Sequence, residues 1–524
     1  MIRSPAVALL VLSGAVSAQE PGATASSPTD PAAFAIEEAT VTSVHAAFAA
    51  GVIDCVRLTE AYLARIEAYD DRGPELKAIL NVNPKARETA EALDIAYAAS
   101  GLTDRPLHCI PVILKDNYDT FDMPTTGGSI TLARSIPPED AFIVARLREA
   151  GALILAKANL MELARGGTTL SSLGGQTRNP YDLTRTPGGS SGGTGAAIAA
   201  SFGVLGTGSD TGQSIRSPAS AQSLVGLRPT RGLLSRSGII PVSSTQDEAG
   251  PITRTVEDAA RMLELIVGYD PADPVTAFGI DKIPASYTAF LDPEGLSGAR
   301  VGLLLDFLGS EAVHQEVNSV MEAVSETMRE QGATVVPIRI PGLAELTRDL
   351  ALSGFEAKSA FNQYLDNLGP GAPVGTLEEF LAGGDFHPSI RASLEAEQRM
   401  SDGLNDPEYE RRLLRRGDLR SAVMKAMADN RLDAILYPHQ RRLVVPIGER
   451  QVERNGVLSN STGFPAITIP GGFSAATSTA PRGVPIGIEL LGPAWSEPAL
   501  IRLAYAFEQA AGIRRSPAST PPLR

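Results

Sequence analysis

The chain has 524 residues, a formal net charge of −14 and 43% hydrophobic residues. That apolar share suits a globular protein with a large core, and the acidic balance argues against a nucleic-acid partner, which needs a basic face. Length alone allows several domains, but no linker-like change of composition divides the interior.

At the N-terminus, Arg3 precedes an apolar run over residues 6–16 that ends in the small-residue triplet Val16-Ser17-Ala18. This pattern reads as a secretory signal peptide over residues 1–18, too short to be a stable membrane span. An uncleaved N-terminal helix is the alternative. No cysteine follows the run, so lipid anchoring is not expected. Residues 19–35 open with a stretch rich in Pro, Ser, Thr and Ala and read as a flexible mature N-terminus. The expected location is the periplasm or the medium.

Helical spacing of Ala46, Ala49, Leu58, Tyr62 and Ile66 predicts helices within 38–70, and a further helix over 84–99 is stopped by Gly101. The two cysteines fall in this part of the chain. Cys55 lies in a helical pattern and Cys109 beside a buried strand, and the sequence leaves open whether they pair. Residues 110–114 then form an apolar run that leads straight into Lys115-Asp116-Asn117. A lysine at the end of a buried strand is either snorkelling to the surface or working at a site. A helix from 140 delivers a second apolar strand at 152–156, the repeating unit of an α/β fold. The polar run from Lys157 to Glu162 reads as structural, with hydrogen-bonded groups pinning loops.

The next stretch, residues 186–219, carries two glycine-rich turns, one around Ser190 and one around Ser214, 24 residues apart. Turns of this composition free backbone N–H groups to face a ligand, and a serine among them is placed to attack a carbonyl. Flexible Gly/Ser linkers would lack the interposed Arg216, Pro218 and apolar residues. Gly188-Gly189-Ser190-Ser191-Gly192 also fits the nucleophile elbow of α/β-hydrolases, but a polar, turn-like segment precedes it where a strand is required, and Ser214 is left without a task. A phosphate-binding loop would need a Gly-Lys-Ser/Thr sequence that is missing. None of the five histidines sits in a recognisable triad motif, so the base must be sought elsewhere. No CxxC or HExxH spacing points to a metal.

Beyond it, residues 226–242 read as strands and turns, and Thr255 opens a helix with Asp258 in a capping position. Strands are expected at 301–305 and 334–338 around a helix over 313–330, and a closing helix at 497–511. Residues 341–455 read as a variable, mostly helical insert, and 515–524 as a tail.

The stretch from Gly188 to Pro218, with its GGSSGG turn and its Gly-x-Ser-Ile-Arg-x-Pro turn, resembles the amidase signature family. The lysine in Pro-x-x-x-Lys-Asp-Asn and the segments 460–473 and 484–492 extend the likeness. The resemblance implies one α/β/α domain over 36–514 around a large mixed sheet, and hydrolysis of a carboxylic amide, small or short-peptide, without metal or cofactor. It assigns Ser214 as nucleophile, Ser190 as relay and Lys115 as base, with the backbone amides of Thr211, Gly212, Gln213 and Ser214 as oxyanion hole. Gln213 stands where many relatives carry glycine. It therefore either keeps an ordinary φ or uses its side chain on the substrate. An amidotransferase A-type subunit or a non-catalytic relative are the other readings, and a signal peptide is hard to reconcile with the first.

Overall fold

The structure is a computed structural model that describes residues 34–101 and 105–523. The expected signal peptide, and all but the end of the flexible segment, therefore lie outside the described residues. Residues from Ala35 onward form one compact unit.

Its frame is a single sheet of eleven strands, with a separate two-stranded hairpin. In chain order the strands are β1 (Ile79–Val82), β2 (Pro111–Lys115), β3 (Leu153–Ala158), the hairpin β4 (Leu170–Ser171) and β5 (Gly175–Gln176), β6 (Leu205–Asp210), β7 (Val225–Arg228) and β8 (Glu248–Thr253). They continue with β9 (Arg300–Leu304), β10 (Thr334–Ile338), β11 (Ala434–Pro438), β12 (Ala466–Phe473) and β13 (Pro485–Leu491). Across the large sheet the order is β1-β3-β2-β6-β8-β7-β12-β13-β11-β9-β10. The sheet is mixed. β2 runs parallel to β3 and β6, β9 runs parallel to β10 and β11, and β6, β7 and β8 pair antiparallel. Every residue of β2, β3, β6, β7, β8, β11 and β13 is buried, so this part of the sheet is covered on both faces.

The helices observed, Val41–Ala49, Cys55–Ile66, Ala86–Ser100 and Glu497–Ala511, match the periodicity, and Thr255 caps Val256–Ile266 by accepting from Asp258 N. Within 226–242 only β7 is a strand, and the rest is turns and loops with one isolated bridge from Ile239 to Tyr118. The stretch 341–455 is mostly helical but contributes β11 to the sheet, between β13 and β9 and third from one edge. Its helices Ser353–Asn367, Leu377–Gly383 and Arg391–Arg399 bury Phe361, Phe380 and Leu394 in one cluster with Leu163 and Ile240. That cluster seats the helical stretch beside the loops that follow β2 and β3. Cys55 and Cys109 form a disulfide, Cα–Cα 5.8 Å, tying helix Cys55–Ile66 to the entry of β2. The tail is packed: Arg65, itself buried, donates to Thr520 O and Pro521 O.

Candidate active site

β2 and β6 are adjacent parallel strands, and their C-terminal ends carry polar groups that face each other. Lys115, the last residue of β2, donates its backbone N–H to Thr207 Oγ1 at 2.9 Å. Its Nζ donates to Ser209 Oγ at 2.8 Å and Ser209 O at 3.2 Å, and lies 2.7 Å from Ser190 Oγ. Asn117 Nδ2 also donates to Ser209 Oγ, at 3.0 Å. The lysine is fully buried and, among the described residues, has no carboxylate in contact. Burial pulls its ammonium down to about 7, with Asp210 and Asp247 opposing from further away.

Ser190 stands just ahead of helix Gly192–Ala199, and its peptide with Gly189 is cis. The small residues of that helix let the turn sit close to its neighbours. A Cβ on Gly193 would fall 2.1 Å from Asn159 O, the acceptor of the Gly193 N–H. The second turn leaves β6 at Asp210 and enters helix Arg216–Ala221. Ser191 N donates to Ser214 O at 3.3 Å, which joins the two turns. Ser214 is 8% exposed, and among the described residues its hydroxyl has no hydrogen-bond partner.

The carbonyls of the second turn are all engaged. Thr211 O accepts from Gln246, Gly212 O from Arg216 and Asn460, Gln213 O from Ser217 N and Ser214 O from Ser191 N. The N–H groups of Thr211, Gly212, Gln213 and Ser214 meet no acceptor among the described residues, the arrangement of an anion-binding nest. Gln213 has no positive φ, so glutamine carries no left-handed strain here. With its amide assigned so that the oxygen faces Arg454, the orientation that satisfies both groups, it accepts from Arg454 Nε at 2.9 Å and Nη2 at 3.3 Å.

A charged cluster holds this turn from beneath. Arg216 bonds Asp210 at 3.1 Å and Glu489 at 3.0 Å, and Arg228 bonds Asp210 at 3.0 Å. Burial would raise the Asp210 carboxyl, but the Arg216 and Arg228 guanidiniums override it and hold it well below the usual range. Glu489 also accepts from Tyr437 OH at 2.9 Å and contacts His439. A cavity of about 280 Å³ adjoins the turn, lined by Ser209, Thr211 and Ile240 on one hand and by Gln363, Tyr364 and Asn367 of helix Ser353–Asn367 on the other. Among the described residues, no group of three His, Cys, Asp or Glu side chains is placed to share a metal ion.

Sequence reasoning missed Thr207, Ser209, Glu489 and Arg454. Thr207 and Ser209 stand two apart in a buried strand, and Glu489 is a lone charge in an apolar one. Both are the same kind of pattern break that singled out Lys115. Arg454 gives no local signal.

A family model described as Amidase matches residues 57–501. The chain belongs to the amidase family. It is 35% identical to a probable amidase of Arabidopsis thaliana over 505 residues, 92% of each chain. It is 34% identical to the A-type glutamyl-tRNA(Gln) amidotransferase subunit from Thermoanaerobacter pseudethanolicus, over 89% of this chain and 95% of that one. Among solved structures, the peptide amidase of Stenotrophomonas maltophilia superposes with a TM-score of 0.81 at 37% identity, covering 92% of this chain and 98% of that one. The amidase fold, with one domain on a large mixed sheet, is the fold observed here.

Proposed function

We propose that this amidase hydrolyses a linear carboxylic amide through an acyl-enzyme on Ser214, with Ser190 as proton relay and Lys115 as base. The observation that carries the reading is the 2.7 Å contact between Lys115 Nζ and Ser190 Oγ in a buried setting that has no carboxylate partner among the described residues. A neutral amine has two N–H bonds and one lone pair. Ser209 O and Ser209 Oγ take the two hydrogens, which leaves the lone pair for the Ser190 hydroxyl.

The Ser214 hydroxyl, free of a partner among the described residues, turns to Ser190 and attacks the carbonyl carbon as its proton passes to Ser190 and the Ser190 proton passes to Lys115. The N–H groups of the second turn receive the oxyanion. As the C–N bond breaks, the proton returns through Ser190 to the departing nitrogen. Water then attacks the ester carbonyl as Lys115 again takes a proton through Ser190, and that proton returns through Ser190 to the Ser214 oxygen as the C–O bond breaks, which frees the acid and restores the neutral lysine. Ser214→Ala should lower turnover by roughly 10⁴-fold or more, and Lys115→Ala and Ser190→Ala by roughly 10²-fold or more. A Lys115→Ala protein with near-normal amide hydrolysis would overturn the assignment.

The amidotransferase relatives favour a second reading, in which the chain works as one component of a larger enzyme. Turnover of free amides by the purified chain alone separates the two. We further propose that the protein is exported. The leader-like pattern in residues 1–18 and the Cys55–Cys109 disulfide both support an oxidising compartment.

A further inference from the structure

Arg454 follows β11 on a firmly held piece of backbone. It bridges antiparallel to Gln440, its neighbour Asn455 donates N–H to His439 O at 2.8 Å, and Glu453 O accepts from Arg441 N at 2.9 Å. The side chain runs to the two serine turns. Nε and Nη2 reach the Gln213 oxygen, one residue ahead of Ser214. Nη1 lies against Gly167, where an added Cβ would be 2.0 Å away. Gly167 in turn packs on Gly189, whose own Cβ would lie 3.0 Å from the Gly167 carbonyl carbon, and Gly189 directly precedes Ser190. One guanidinium is therefore lodged between Gln213, which precedes Ser214, and Gly167, which packs on the residue before Ser190.

Its charge is not balanced from within. Two carboxylates, Asp210 and Glu489, serve two guanidiniums, Arg216 and Arg228, and Arg454 is in ion-pair contact with no carboxylate among the described residues. The neighbouring Glu453 is turned to His314 and Arg442. A guanidinium has five N–H donors and no acceptor, and the Gln213 oxygen takes two of them. The residue is half-buried, and its remaining donors meet no acceptor among the described residues. A planar fork with free donors matches a carboxylate, and an unpaired charge in a largely desolvated place is costly until one arrives.

We propose that Arg454 reads a carboxylate on the substrate, so that the preferred amides carry an anionic group close to the scissile carbonyl. The inference rests on the amide-hydrolase reading above. Gln213 holds the guanidinium in position for this contact, which gives the glutamine at that place a task that glycine could not perform.

The test compares succinamate with its uncharged isostere 4-methylpentanamide. The wild-type protein should favour succinamate in kcat/KM by ~10-fold to ~100-fold, the range for a charge-assisted contact. Arg454→Gln should remove that preference and Arg454→Lys should keep part of it. Equal rates on both amides in the wild type, or an equal loss on both in Arg454→Gln, would overturn the proposal while leaving amide hydrolysis standing. Succinate binding to the inactive Ser214→Ala protein supplies a readout free of turnover. It should raise the melting temperature, and the added Arg454→Gln change should abolish the rise. If neither amide is turned over but this stabilisation appears, the anion site stands and the hydrolase reading falls. No stabilisation by succinate would overturn the proposal.

Discussion

Burial leaves Lys115 with an amine near neutrality, so the pH dependence of the rate should report on it directly. In the role we propose for it, Lys115 works only when unprotonated, and burial holds its ammonium at about 7. The value of kcat/KM should therefore fall as pH drops below about 7, with a single-proton acid limb. Asp119 titrates in the same range: burial lifts its carboxyl to about 7 against the hydrogen bond from Tyr364, a residue that lines the cavity. An Asp119→Asn protein should keep the acid limb if Lys115 is its source, and a pH–rate series on both proteins checks this. Loss of the limb in Asp119→Asn would reassign it. At this scale Lys115 was legible because a charge ends an apolar strand beside a recognisable motif, whereas Thr207, Ser209 and Glu489 break their strands in the same way without a motif to mark them. Arg454 was not legible, because its meaning depends on a contact with Gln213 and Gly167 from distant parts of the chain.

At the scale of elements, a second buried lysine fixes the loop that leaves β2. Lys157 on β3 is paired with Asp116 at 3.3 Å and donates to Tyr118 O at 2.6 Å, Thr125 Oγ1 at 3.0 Å and Pro124 O at 3.2 Å. Both partners of the pair are fully buried, so removing one leaves the other uncompensated. Lys157→Met should cost about 3–5 kcal/mol of stability, read as a lower denaturation midpoint. Adding Asp116→Asn should recover part of the loss, and strictly additive losses would show that the pair is not coupled. Strand and helix placement was largely readable from periodicity, as with β10 and helix Glu497–Ala511. The strand β11 was hidden inside the stretch 341–455, because its five residues follow a long charged helix, Pro407–Asn430, that dominates the local composition.

At the scale of the whole molecule, the mixed sheet brings the ends of β2 and β6 together with the turns at Ser190 and Ser214, while the helical stretch supplies one wall of the cavity. The motif made the fold readable ahead of the structure. The wall and the placement of the Arg454 guanidinium follow only from the packing of remote segments. The export reading predicts that the secreted protein begins at Gln19, which intact-mass analysis of native material decides. A chain retaining Met1 in the cytoplasm would contradict it. Acid-quenched turnover of an acyl-anilide followed by peptide mapping distinguishes the roles proposed for the two serines. The expected result is a single acyl group on the peptide containing Ser214, absent in Ser214→Ala and slow to form in Lys115→Ala. An acyl group on Ser190, or steady turnover with no covalent adduct in any trapped fraction, would contradict it.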